Sequence, residues 1–202
     1  PSSLTTFNGA NLFQFKLEGS SCPNLANEMN KEFGGLSQGI VVPQDANRVT
    51  DVFYYFHGTN RNCDEDIPEC YIRTSPDPLT PLSQCQGKHI EACRLVREHP
   101  TSAIILFTRT NSRYEIDPWD LWFKDMSSAG IQCVLDEIRQ HLNSLNIPHN
   151  ADYSLAGLSG GGRPMSEFTR KSPANYFTRN LFFDSCYGNW CETAARSGNV
   201  QE

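Results

Sequence analysis

The stretch Tyr153-Ser-Leu-Ala-Gly157-Leu-Ser159-Gly-Gly161-Gly-Arg-Pro164 decides the fold. Its first part, Tyr153–Ala156, is a short apolar run that reads as a strand. Its last part opens a helical pattern over Arg163–Lys171, with Pro164 in the first turn, where a missing N–H costs nothing. Between them lies Gly157-x-Ser159-x-Gly161. A bare match to that spacing is weak, because glycine and serine often meet by chance. A strand leading directly in and a helix leading directly out make it specific. A serine at the tip of a sharp strand-to-helix turn has its hydroxyl lifted into the open, and small residues two before and two after are needed because backbone crowds the turn. The helix start behind Ser159 turns free N–H groups toward developing negative charge. Ser159 is therefore predicted to be a nucleophile and the Gly160 N–H one arm of an oxyanion hole. The alternative is a glycine-rich turn with a bystander serine.

Working outward, the same alternation recurs. Leu12–Leu17 alternates apolar and polar residues, as a half-exposed strand near a sheet edge does, and Gln38–Val42 is a shorter candidate. Asp51–Phe56 (DVFYYF), Ser102–Phe107 (SAIILF) and Asn180–Phe183 (NLFF) are the continuous apolar runs of strands buried on both faces. Helices are expected at His89–Glu98, with Ile90, Cys93 and Val96 on one stripe, and at Ser128–Leu145, where Ile131, Val134, Leu135, Ile138, Leu142 and Leu145 recur at helical steps before Pro148. Strand–helix alternation predicts an α/β fold, a mostly parallel sheet with helices on both faces, in a single domain over residues 1–202. The stretches Asn60–Gln86 and Thr108–Ser127 are too long for simple connections, and such loops are usually functional or stapled.

His57-Gly-Thr-Asn60 follows the buried run Asp51–Phe56. A tight turn there is expected to place the Thr59 N–H opposite that of Gly160. Two donors on a tetrahedral oxyanion are worth about 3 kcal/mol apiece. His57 itself reads more readily as a turn-stabilising group than as a base. With FYYFHGTN (Phe53–Asn60), SAIILF (Ser102–Phe107), YSLAGLSGGG (Tyr153–Gly162) and NLFFDSCYG (Asn180–Gly188) in this order, the chain resembles the α/β-hydrolase fold family of serine hydrolases from about residue 40 onward. The resemblance implies a serine, an acid and a histidine, in that chain order. Ser159 maps onto the nucleophile. Asp184, ending the strand after the elbow helix, stands where the family sometimes keeps its acid, although a turn-forming role is the equal alternative.

The departure from the family lies in the histidines. All five (His57, His89, His99, His141, His149) precede Ser159, and none follows Asp184. Only 43 residues follow Ser159, room for one strand and a tail, so the domain is expected to lack the family's C-terminal strands. The catalytic histidine is then expected on a further segment, either continuous chain or a retained C-terminal companion fragment.

Composition narrows the class. The formal charge of −6 leaves no basic stripe for nucleic acid, and no apolar run approaches the roughly 20 residues that span a bilayer. Eight cysteines, none spaced as a zinc ribbon or finger, favour disulfides over metal, and no cofactor is called for. Cys63, Cys70 and Cys85 lie in a polar, proline-rich stretch where a bridge is the natural staple. Cys93 and Cys133 fall on helical patterns, where a buried thiol is the alternative. Paired cysteines predict an extracellular or periplasmic protein whose signal peptide has been removed. Trp119 and Trp122, in the loop after SAIILF, are candidates to line an acyl pocket or stack on a sugar ring; the alternative is that they cover the core. These residues together predict a secreted or periplasmic serine hydrolase acting on a carboxylic ester, small or glycan-linked, with an amide less favoured. A non-catalytic binding or structural protein on the same fold, and one half of a cleaved enzyme, are the competing readings.

Overall fold

The computed structural model describes residues 3–7, 9–35, 37–56, 92–107, 123–183, 185–186 and 191–192, and of Ser3, Leu4, Thr5, Phe7 and Ser159 the backbone only. Seven strands form one sheet: β1 (Ser3–Phe7), β2 (Ala10–Lys16), β3 (Ser37–Pro43), β4 (Asp51–Phe56), β5 (Ser102–Leu106), β6 (Asp152–Leu158) and β7 (Arg179–Phe183), in the order β1-β2-β3-β5-β4-β6-β7. Strands β5, β4, β6 and β7 are mutually parallel, and β1, β2 and β3 extend the sheet by antiparallel pairing. The parallel part is the one the apolar runs predicted. Of the antiparallel flank, β2 and β3 form at the expected stretches, β2 half-exposed and second from the end of the sheet order, while β1 is an addition.

Side-chain alternation along the strands builds two cores. Ile40, Val42, Tyr54, Phe56, Ile105, Phe107 and Leu155 face one layer, while Val41, Tyr55, Ile104, Leu106 and Ala156 face the other. The first layer is covered by α1 (Ala26–Phe33), α3 (Ser128–Ser144) and α4 (Gly162–Lys171), which contribute Met29, Phe33, Ile131, Val134, Leu135, Ile138, Met165 and Phe168. The second is covered by α2 (Ala92–Glu98) through Ala92, Cys93 and Val96. Helices on both faces and two filled cores match the expected α/β layering.

The clearest sequence signal, α3, forms as its apolar period requires. Ser127 caps it, its hydroxyl accepting from the Gly130 N–H at 3.0 Å. Cys133 on its buried face is not a free thiol: it bridges to Cys22, in the segment after β2. Beside the bridge, the buried Glu137 carboxylate accepts from the Glu18 N–H at 3.2 Å, the Ser20 hydroxyl at 3.0 Å and the Ser21 N–H at 3.2 Å. A second bridge joins Cys186 to Cys191, just after β7. Cys93 is a buried thiol, and burial pushes its pKa up to about 11. Cys63, Cys70 and Cys85 lie outside the described residues.

Candidate active site

Register fixes which sheet edge carries the chemistry. Parallel pairing sets Phe56 beside Gly157 and Phe183 beside Leu158, and Leu106 lies one strand further on beside Tyr55. Strands β4, β5, β6 and β7 therefore all end at one edge. Ligands of open α/β sheets bind outside the carboxyl ends of their strands.

At that edge β6 passes without an intervening loop into a 3-10 turn, Ser159–Gly161, and then into α4. The turn is tight enough to exclude side chains at its base. A Cβ on Gly157 would lie 2.9 Å from the Gly161 carbonyl oxygen and 2.4 Å from Met165 Sδ. Gly160, Gly161 and Gly162 are buried, so the backbone of the turn packs against the body of the protein. The first turn of α4 starts with N–H groups that have no carbonyl four residues back. The backbone of Ser159 and a helix start are thus delivered to the carboxyl edge by one continuous segment.

The chain also returns to this spot after β7. Phe183, the residue before Asp184, pairs with Leu158, the residue before Ser159. Ser185, the residue after Asp184, is buried and donates its hydroxyl to the Gly157 carbonyl at 3.0 Å. Asp184 itself, together with His57, Thr59, Trp119 and Trp122, lies outside the described residues. Ser185 was not anticipated from the sequence. A serine following an apolar strand carries no special signal, and only the register reveals its partner.

Three histidines are described, and none is near the turn. His99 and His149 precede β5 and β6, at the amino edge of the sheet. Along β6, Asp152–Leu158, that edge is about 23 Å from Ser159 at 3.3 Å per residue. His141, on α3, packs its ring 4.3 Å from that of Phe15 on β2. Four strand spacings separate β2 from β6, about 19 Å. Burial holds the His141 pKa below its ordinary value, against the opposing pull of Glu137, which fits a packing role.

The far end of α4 holds a charged cluster. Glu167 is buried beside Lys171, at 3.0 Å, with Arg163 at 3.6 Å and Arg170 at 2.5 Å. Burial pushes the Glu167 pKa up, but hydrogen bonds and charge from Lys171 and Arg170 outweigh it, so the carboxyl titrates below its ordinary value. The Lys171 ammonium also donates to the Phe123 and Lys124 carbonyls at 2.5 and 2.9 Å. Phe123 follows the tryptophan-bearing stretch and adopts a left-handed backbone, φ 60°, that a bulky residue takes only when its surroundings impose it. The imposing contacts are Lys171 on its carbonyl, Glu32 on its N–H at 3.1 Å, and Phe33, Phe56, Phe107 and Phe168 around its ring.

No family model matches the chain, and neither does any curated protein. Among solved structures it is similar to an assigned acetyl xylan esterase of Bacteroides fragilis, at 12% identity and a TM-score of 0.50, covering 88% of this chain and 45% of that one. It is similar also to a cold-adapted esterase from an Arctic intertidal metagenomic library, at 13% identity and a TM-score of 0.45, covering 89% of this chain and 62% of that one. Lipase A of Candida antarctica in its closed state gives 11% identity and a TM-score of 0.44, with 90% and 40% covered. The chain thus spans 40 to 62% of the length of these proteins. At 12% identity the likeness to the Bacteroides structure concerns architecture alone, and with the sheet order above it gives the conclusion: the chain has a mixed α/β fold with a mostly parallel central sheet and helices on both faces, shared with that esterase structure.

Proposed function

We propose that this chain is the nucleophile-bearing part of a secreted or periplasmic serine hydrolase that cleaves carboxylic esters, small or glycan-linked. The observation that carries the reading is the turn itself. Strand β6 runs straight into Ser159–Gly161 and α4, at a closeness that only glycine at position 157 permits. The Ser159 hydroxyl attacks the ester carbonyl while a histidine takes its proton. The N–H groups of Gly160 and Thr59 hold the resulting oxyanion. Collapse of the tetrahedral adduct expels the alcohol, which leaves with the proton returned from the imidazolium. Water, activated by the same histidine, then hydrolyses the acyl-serine. Asp184 orients the histidine, and Trp119 and Trp122 border the acyl or sugar moiety.

A base must lie within about 3 Å of the proton it removes. Among the described residues, His99, His141 and His149 are far outside that range by the strand arithmetic above, and His57 and His89 lie outside the described residues. The proposal places the histidine on a further segment, continuous or retained as a companion fragment. Two disulfides among the described cysteines support the exported location.

Hydrolysis of a short-chain nitrophenyl ester by the isolated protein and by Ser159→Ala tests the proposal. The variant is expected to fold as the parent does and to lose at least about 1,000-fold in kcat. Undiminished hydrolysis by a folded Ser159→Ala protein would overturn it. The intact mass of the isolated protein under denaturing conditions reports whether a histidine-bearing segment accompanies it.

A further inference from the structure

The buried Ser185 hydroxyl has no part in the chemistry as written, yet it bonds the carbonyl of the residue on which the turn rests. Gly157 packs directly beneath the Gly161 carbonyl, so the tilt of its peptide unit sets how the backbone on either side of Ser159 sits. Ser185 fixes that peptide from the segment after β7, through a bond at 3.0 Å that solvent does not reach. It does so one residue after Asp184, while Phe183, one residue before, is paired with Leu158. The Cys186–Cys191 bridge, Cα to Cα 5.3 Å, then restrains the chain that follows. The chain on either side of position 184 is thus tied to the end of β6, at Leu158 and at Gly157.

We infer that Ser185 is a positioning residue, whose hydroxyl sets the relation between the Ser159 turn and the chain carrying Asp184. The inference rests on the reading of Ser159 as nucleophile and deepens it. The bond offsets the cost of burying the Ser185 hydroxyl, and its loss leaves the Gly157 carbonyl without this donor and frees the peptide to tilt. A displacement of the order of 1 Å at a reacting group is enough to cost about 100-fold in rate.

The test compares Ser185→Ala and Ser185→Thr with the parent protein as isolated, by the rate at which a fluorophosphonate labels Ser159, by kcat and KM on a nitrophenyl ester, and by the pH dependence of kcat/KM. For Ser185→Ala, labelling and kcat are expected to fall at least tenfold with KM within twofold. The acid limb of the profile is expected to move to lower pH, because a carboxylate held less closely raises the imidazole pKa less. Ser185→Thr, which keeps the hydroxyl, is expected to restore most of the rate. Labelling and kcat unchanged in folded Ser185→Ala overturn the inference and leave the nucleophile standing. A parent protein in which Ser159 takes no label overturns the nucleophile reading, and the inference with it. Should Ser185→Ala not fold, Ser185→Cys carries the comparison, since a thiol keeps the volume and weakens the donor: an intermediate rate supports the inference and the parent rate overturns it.

Discussion

Replacing Gly157 with alanine puts the geometry of the Ser159 turn under direct strain. The added Cβ would meet Met165 Sδ at 2.4 Å, Gly161 O at 2.9 Å and Gly161 C at 3.0 Å. The first contact is the far end of a flexible side chain and is relieved by a rotamer change. The other two are backbone, and reaching ordinary contact at 3.4 Å requires the turn to move by several tenths of an ångström. Overpacking of this kind costs roughly 1–3 kcal/mol. For a domain of this length that corresponds to a fall in Tm of about 2–12 °C. A second change, Met165→Ala, separates the two contacts: it removes the sulfur but leaves the Gly161 carbonyl in place. The double variant is therefore expected to regain little of the labelling rate of Ser159 that Gly157→Ala loses. The assays are thermal unfolding by circular dichroism and the rate of fluorophosphonate labelling. A Gly157→Ala protein that melts within 1 °C of its parent and labels at the parent rate would refute the claim that backbone closeness defines the turn.

Glu167→Gln leaves the buried Lys171 ammonium with neutral acceptors only, the amide oxygen and the Phe123 and Lys124 carbonyls, and is expected to cost about 3 kcal/mol, or 6–12 °C in Tm. Because the folded Glu167 carboxyl titrates below its unfolded value, its contribution is fully present above about pH 4.3 and disappears as pH falls through the lower folded value; melting curves of parent and variant should converge under acid. Removing the Cys22–Cys133 bridge, with its sequence separation of 111, is expected to cost about 4.8 kcal/mol by the chain-entropy estimate, against about 2 for Cys186–Cys191, whose separation is 5. Calorimetry of Cys22→Ser/Cys133→Ser should show a fall of roughly 10–20 °C, with helical content kept, because Glu137 still holds the segment at Glu18, Ser20 and Ser21.

Legibility followed burial. Strands β4, β5 and β6 are readable because a strand covered on both faces is a run of apolar residues, and α3 because a long amphipathic helix repeats its period often enough to be recognised. The run Asn180–Phe183 does form β7, but not buried on both faces as expected: it is the last strand of the sheet, none of its residues is buried and Phe183 is exposed. Helix α1 escaped, since ANEMNKEF buries only Met29 and Phe33 and offers no stripe. Strand β1 escaped as well, although Asn8-Gly9 ahead of β2 is a hairpin signal, and Gly9 takes the left-handed φ of 81° that such a turn demands. At the site, the strand-to-helix turn was legible because its demands are local: glycine on either side of a serine, an apolar strand before and a helix after. Ser185 was not, because its meaning depends on a side-chain hydrogen bond to Gly157, 28 residues away, that the pairing of β6 with β7 brings within reach. The pairing of Cys22 with Cys133 was illegible for the same reason. Neighbours in space that are far apart in sequence leave no periodic trace.

The central claim is that Ser159 is the reacting nucleophile, and labelled-peptide mapping tests it most directly. The isolated protein is treated with a fluorophosphonate, digested, and the adduct located by mass spectrometry. A single adduct on Ser159, absent from Ser159→Ala, is the result this account predicts. An adduct on another serine with Ser159 unmodified would contradict it.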